Sequence, residues 1–97
     1  MATFVVLISF TEQGVKNFRQ TPQRAEAFRQ MAQKAGVTVK DLYWTLGAFD
    51  GVLVLEAPDD ESATALLLSL GALGNVRTQT LRAFDRSQIE SILDKAQ

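Results

Sequence analysis

Two apolar runs decide how this sequence folds: "FVVLI" at residues 4–8 and "VLVL" at residues 52–55. Both are short, rich in β-branched side chains and bounded by polar residues or glycine, which is typical of buried strands. A strand covered on one face alone normally alternates apolar and polar residues, and neither run alternates. The sequence therefore predicts that both strands are buried on both faces.

Apolar residues at helical spacing predict three main helices in the rest of the chain. A short helical turn capped by Thr11 comes before them. The first main helix follows Thr21, taken as an N-cap before a proline, and ends at Gly36. The second opens with the acidic residues 59–61, and the third follows Asp85 in a capping-box pattern.

Two further extended segments, at residues 37–46 and 76–84, complete the order strand, helix, strand, strand, helix, strand, helix. Two right-handed crossovers around one hairpin make an α+β fold, the ferredoxin-like βαββαβ sandwich, here with a C-terminal helix. One domain is expected over residues 1–97, with the two apolar runs as its central strands.

Helices cover only one face of such a sheet, so the apolar runs need a second cover. Two copies packing sheet to sheet would supply it. We therefore expect the protein to bind itself as a homodimer or higher homo-oligomer, most simply as a dimeric α+β barrel. The alternative is that the C-terminal helix folds back over its own sheet.

The charge balance limits the classes of partner. Ten Lys and Arg against eleven Asp and Glu give a net charge of −1. Nucleic acids and anionic membranes attract concentrated positive charge, so neither is expected as a partner. No stretch approaches the roughly 20 apolar residues of a membrane span, and the N-terminal run lacks the basic start of a signal peptide. We expect a cytoplasmic protein.

Two residue types that dominate site chemistry are missing, because the chain has no cysteine and no histidine. Disulfides, thiolate chemistry and the usual general base near neutral pH are therefore excluded. A metal ion would need converging carboxylates. Residues 59–61 are better explained as a helix N-terminus, because consecutive helical side chains point about 100° apart. The sequence predicts neither a metal nor a cofactor.

Asp50, followed by Gly51, supports two interpretations. The pair closes a turn predicted at residues 47–51 and favours a hairpin, because glycine tolerates positive φ and aspartate bonds nearby backbone. Alternatively, Asp50 is a carboxylate at the mouth of a barrel, where it acts as a base or binds a cation. Turn chemistry explains the pair without a substrate and is preferred. Asp50 is nevertheless the one candidate catalytic residue.

The stretch "GNVRTQT" at residues 74–80 is where a ligand site is most expected. Arg77 could clamp a carboxylate or phosphate, Asn75 adds an amide donor, and Tyr43 and Trp44 could wall the pocket. The simpler interpretation assigns the charge to protection of an edge strand and the aromatic side chains to a core or interface.

The segments "LYWTLGAFDGVLVLEAPDD" and "LGALGNVRTQTLRAF" resemble the GYD-domain family of small bacterial and archaeal proteins. The resemblance runs from the first strand through Phe84, and it implies a dimeric α+β barrel with no defined reaction. In the naming motif a Gly is followed closely by Tyr and Asp. Gly47 and Asp50 match it, whereas Phe49 stands where the family often has Tyr. A catalytic phenol would be lost by this change, and an aromatic anchor would be kept.

Three functional hypotheses follow. The first is a homo-oligomeric, non-enzymatic domain that binds a small molecule at the barrel mouth. The second is a cofactor-independent oxygenase or isomerase acting on a small apolar or aromatic substrate, which is an analogy of fold. In that case Asp50 is the base, Arg77 the anion clamp, and Trp44 or Tyr43 the substrate wall. The third is a regulatory protein that docks on another protein.

Overall fold

Four strands and four helices make up the computed structural model, which describes residues 1–97. The strands are β1 (Ala2–Phe10), β2 (Thr38–Trp44), β3 (Gly51–Ala57) and β4 (Val76–Ala83). The helices are α1 (Glu12–Lys16), α2 (Thr21–Lys34), α3 (Asp60–Ala72) and α4 (Arg86–Lys95), with a 3₁₀ turn at Phe18–Gln20. This is the predicted order of elements. No helix combines the length and the apolar composition that a membrane span requires.

The strands form one antiparallel sheet in the order β2-β3-β1-β4. β1 and β3 are therefore central, as predicted, and the topology is that of the ferredoxin-like α+β sandwich. In the β1–β3 register Val6 lies opposite Leu53, and Leu7 lies opposite Val52. Apolar side chains therefore pair on both faces at the centre of the sheet.

One face of the sheet packs against α2 and α3. Val6, Leu53 and Leu55 point into this layer and are at most 2% exposed. They belong to one core cluster with Phe28 of α2 and Leu66 of α3. Full burial of one such side chain contributes about 1.5–3 kcal/mol, so this layer stabilises the single chain.

No helix layer covers the other face of the sheet, which we call the open face. Its central residues are Val5, Leu7, Val52 and Val54, all of them half-buried. Beside Val5 lies Leu81 of β4, which is 52% exposed. The molecule measures only 18 Å in its shortest dimension, which corresponds to one sheet and one layer of helices.

α4 leaves the open face uncovered. None of its residues is buried, and its apolar side leaves Ile89, Ile92 and Leu93 at 41%, 39% and 62% exposure. The radius of gyration is 14.6 Å, against about 12.5 Å for a compact chain of this length. The alternative in which the C-terminal helix folds back over its own sheet is therefore not what the structure shows.

The loop between β2 and β3 spans residues 45–50, close to the turn predicted at residues 47–51. Gly51 is the first residue of β3, where it pairs with Trp44 on one side and Ile8 on the other. In this loop the positive φ, 119°, falls at Gly47. The expected turn is therefore confirmed in its place, but the conformational freedom of glycine is used at Gly47 rather than at Gly51.

The predicted helix starts are mostly confirmed. The side chains of Thr11, Asp59 and Asp85 each accept a hydrogen bond from the backbone N–H three residues later, and Asp85 forms the full capping box. Thr21 differs, because it is the first residue of α2 rather than its N-cap, and its hydroxyl donates to the carbonyl oxygen of Phe18.

A cluster of hydrogen bonds joins the start of α1 to the loop between α3 and β4. We call it the latch; it comprises Thr11, Gln13, Gly14, Gly74 and Asn75. The Thr11 hydroxyl donates to the Gly74 carbonyl oxygen at 2.6 Å, and Gln13 Nε2 donates to Asn75 Oδ1 at 2.9 Å. A Cβ atom placed on Gly14 would lie 2.0 Å from the Asn75 carbonyl oxygen. Only glycine fits at this position.

The Gly14→Ala substitution tests the latch. It is expected to lower the free energy of unfolding by about 1–3 kcal/mol, because backbone must move to admit the methyl group. Urea denaturation followed by circular dichroism measures this change. Gly71→Ala is the matched control, since a Cβ on Gly71 in α3 meets nothing within 4 Å. That variant should gain about 0.5–1 kcal/mol, and equal stability of the two variants would contradict the latch.

Candidate functional site

Asp50 lies at the end of the β2–β3 loop and ties it to both neighbouring strands. Its Oδ2 accepts a hydrogen bond from the Phe10 N–H at 2.7 Å. Its backbone N–H donates to the Ile8 carbonyl oxygen at 2.8 Å, and its carbonyl oxygen accepts from the Thr45 N–H at 2.9 Å. These bonds give Asp50 a structural role that needs no substrate.

A catalytic role for Asp50 stays a prediction. The residue is half-buried, and one carboxylate oxygen is occupied by the Phe10 N–H. No group of three or more carboxylates lies close enough together to hold a metal ion.

The four residues predicted to bind a ligand do not form one site within a single chain. Tyr43 lies on the open face of β2, whereas its neighbour Trp44 points to the helix side. Arg77 lies on the open face of β4, at the opposite edge of the sheet from Tyr43. Asn75 belongs to the latch.

Trp44 instead walls a cavity between α2 and the sheet. This first cavity measures about 60 Å³, and nine of its eleven lining residues are hydrophobic. Its polar lining residues are Thr21 and Arg24, both from the first turns of α2. The apolar wall includes Phe10, Ala25, Phe28, Leu42, Leu53 and Leu70.

A second cavity of about 100 Å³ adjoins the first and brings in Asn75. The two cavities share Arg24, Phe28, Leu70 and Val76 as lining residues. Two of the predicted ligand-binding residues, Trp44 and Asn75, are thus placed on adjacent cavities with Arg24 common to both. Neither Arg77 nor Tyr43 lines either cavity.

Arg24 is the cavity residue that sequence reasoning missed. Its Nη2 donates to the Gly14 carbonyl oxygen at 3.2 Å and to Thr21 Oγ1 at 3.3 Å, and it forms no ion pair. The available signal was an arginine near the start of a helix whose first turn has no acidic residue. The helix dipole disfavours a cation at that end, so an arginine there indicates a role other than stabilising the helix.

The acidic residues 59–61 lie at the start of α3, as expected. The Ser62 N–H donates to Asp59 Oδ1 at 2.7 Å. Hydrogen bonds from the backbone and side chain of Ser62 hold the pKa of Asp59 below its usual range. A lowered pKa means that this cap stabilises the fold at neutral pH and that its contribution is lost as the pH falls through that pKa.

The family model described as the GYD domain matches residues 4–93. This chain belongs to the GYD domain family. The matched range covers the sheet except for the first two residues of β1, and it includes most of α4. Phe49, at the position where the naming motif often has Tyr, is half-buried, and its carbonyl oxygen accepts from the Thr45 hydroxyl at 2.6 Å.

A relative from Thermus thermophilus is 36% identical over 84 residues, which cover 86% of this chain and 88% of that protein. It is named a glutamine synthetase and cystathionine beta-lyase binding protein. A crystal structure of a protein from the same species is 25% identical with a TM-score of 0.57, and the match covers 88% of this chain and 95% of that one.

A feast or famine regulatory protein from M. tuberculosis, solved with L-methionine, superposes with a TM-score of 0.67 at 19% identity over 88% of this chain. The GYD domain spans about half of that regulator, 51% of its chain. At this identity the likeness shows the fold alone, and it confirms the ferredoxin-like architecture.

The Asp50→Ala substitution tests the structural role of this carboxylate. It is expected to lower the free energy of unfolding by about 1–3 kcal/mol, because the Phe10 N–H loses its acceptor. Asp50→Asn keeps an oxygen at that place and should lose less. Urea denaturation of the two variants checks both values. An Asp50→Ala protein as stable as the wild type would show that the bond to Phe10 contributes nothing.

Proposed function

We propose that this GYD domain is a homo-oligomeric binding module. Its copies pair through their open faces, and the assembly docks on a partner protein. The observation that carries the proposal is the open face itself, whose central residues Val5, Leu7, Val52 and Val54 are apolar and lie under no helix. The predicted cytoplasmic location is part of the same proposal.

The open face is large enough for a stable interface. Four strands of about seven residues span roughly 19 by 23 Å. Side chains that stand out from the sheet and the apolar side of α4 both add to this area. The area that pairing would bury then approaches the approximately 800 Å² per partner of a standard interface. Only 15 of 97 residues are buried in one copy, so pairing would add substantially to a small core.

A two-fold axis parallel to the strands would place β2 of one copy over β4 of the other. On the open face β2 carries Asp41 and Tyr43, and β4 carries Arg77 and Gln79. Tyr43 and Gln79 share one row across the sheet, so this axis sets Tyr43 of one copy over Gln79 of the other, where their polar groups can hydrogen-bond. α4 begins three residues after β4 ends, so its apolar side can continue the same interface.

The ligand site predicted at the barrel mouth would also need two copies. In one chain Tyr43 and Arg77 lie at opposite edges of the open face, in neighbouring rows of the sheet. The same two-fold axis brings Tyr43 of one copy towards Arg77 of the other. A small molecule bound there would contact both chains.

The partner class comes from the Thermus thermophilus relative, which is named for binding glutamine synthetase and cystathionine beta-lyase. We infer that this domain docks on enzymes of these two kinds. The alternative of a cofactor-independent oxygenase or isomerase depends on Asp50 as the base. That carboxylate already accepts from the Phe10 N–H, so the binding module is the better supported function.

The Leu7→Glu substitution tests the assembly by placing a charge at the centre of the open face. Size-exclusion chromatography with light scattering should give a multimer of the 10.7 kDa chain for the wild type. The variant should be a folded monomer. Pairing would bury the introduced carboxylate without a partner, and the free-energy cost of that burial exceeds what the apolar contacts of the interface contribute. Biolayer interferometry on purified glutamine synthetase and cystathionine beta-lyase should show binding by the wild type and weaker binding by Leu7→Glu.

Leu68→Glu is the matched control, since Leu68 is 71% exposed on α3 and remote from the open face. This variant should remain a multimer. A monomeric wild-type protein would contradict the pairing of open faces. A wild-type multimer that binds neither enzyme would leave the assembly standing and refute the docking.

A further inference from the structure

The geometry points to a separate binding site on the helix side of the sheet, in which the two adjacent cavities hold a small apolar monocarboxylate. The apolar body of this ligand lies against Trp44 and Phe28, and its carboxylate bonds to Arg24 and Asn75. The site lies within one chain, so it depends neither on pairing of the open faces nor on an enzyme partner.

The cavity walls are suited to an apolar body. Nine of eleven residues around the first cavity and six of eight around the second are hydrophobic. The aromatic side chains of Phe10, Phe28 and Trp44 line the first cavity. Binding sites for small molecules combine such walls with a few convergent polar groups.

Arg24 supplies a cation with unused donors at the junction of the cavities. Its Nη2 bonds to Gly14 and Thr21, whereas its Nε and Nη1 donate to no protein acceptor. The side chain is half-buried and forms no ion pair. A half-buried guanidinium with free N–H groups binds a carboxylate through short, charge-assisted hydrogen bonds.

Asn75 supplies a second free donor to the same place. Its Oδ1 accepts from Gln13 Nε2 at 2.9 Å, which directs the amide, and its Nδ2 donates to no protein acceptor. Both Asn75 and Arg24 line the second cavity. Two fixed donors without acceptors favour an anionic oxygen between them.

The lining also limits the class of ligand. No acidic residue lines either cavity, so the ammonium group of an amino acid would find no counter-charge. A single cation favours one carboxylate over two. The two adjoining cavities measure about 60 and 100 Å³. Taken together they are similar in volume to an apolar cavity near 150 Å³ that holds benzene. The ligand therefore has one carboxylate and a body about the size of one ring.

Trp44 provides the readout, because it is the sole tryptophan of the chain and it lines the first cavity. Phenylacetate serves as the probe, and phenylacetamide serves as its neutral isostere. Titration with phenylacetate should change Trp44 fluorescence saturably. The amide should bind at least about tenfold more weakly, since it lacks the charge that Arg24 recognises.

Matched variants separate the charge from the cavity. Arg24→Gln should weaken phenylacetate binding at least about tenfold. Arg29→Gln should bind as the wild type does, because Arg29 lies on the same helix, is exposed, and lines neither cavity. Ala25→Leu fills the first cavity without changing charge and should weaken binding of both probes. If Arg24→Gln does not fold, Ala25→Leu still tests whether the probes bind in the first cavity.

Three results would overturn the site: no saturable change in the wild type, equal affinity for acid and amide, or wild-type affinity in a folded Arg24→Gln protein. The folded Leu7→Glu monomer should bind phenylacetate as tightly as the wild type does. Phenylacetate binding by this monomer would show that the ligand site works without assembly, so the two proposals can fail separately.

Discussion

The structure depends on one mismatch, which is that the central strands are apolar on both faces while helices cover only one. Val6 and Leu55 are fully buried under α2 and α3, whereas Val5 and Val54, their neighbours along the same strands, remain half-exposed. Removal of apolar surface from water favours association by the same physics that favours folding. We therefore propose that the open face is half of an interface and that the exposed apolar side of α4 extends it.

Polar contacts join the loops at the end of the sheet where β1 stops. The latch joins the start of α1 to the α3–β4 loop, and Asp50 joins the β2–β3 loop to β1. The same contacts position the cavity donors. The carbonyl oxygen of Gly14 holds Nη2 of Arg24, and Gln13 directs the amide of Asn75. The GYD domain thus has an apolar surface on one side of the sheet and, on the other, a mostly apolar candidate pocket with the polar groups of Arg24 and Asn75 in its lining.

Features that depend on local chemistry could be predicted from the sequence. Apolar runs identified β1 and β3 as central, and side-chain oxygens marked Thr11, Asp59 and Asp85 as caps. Features that depend on distant contacts could not. Alternation separates Tyr43 from Trp44 without saying which face the helices cover. Asp50 accepts from Phe10, 40 residues away, and Arg24 is held by Gly14, in a different helix.

The most direct test of the pairing of open faces is an isotope-filtered NOE experiment on a mixture of ¹³C-labelled and unlabelled chains. Our account predicts intermolecular NOEs between the methyl groups of Val5, Leu7, Val52 and Val54 in different copies. The methyl groups of Leu66 and Leu67, buried under α3, should show none. Intermolecular NOEs confined to the helix side, or their complete absence at concentrations where the protein is fully folded, would contradict it.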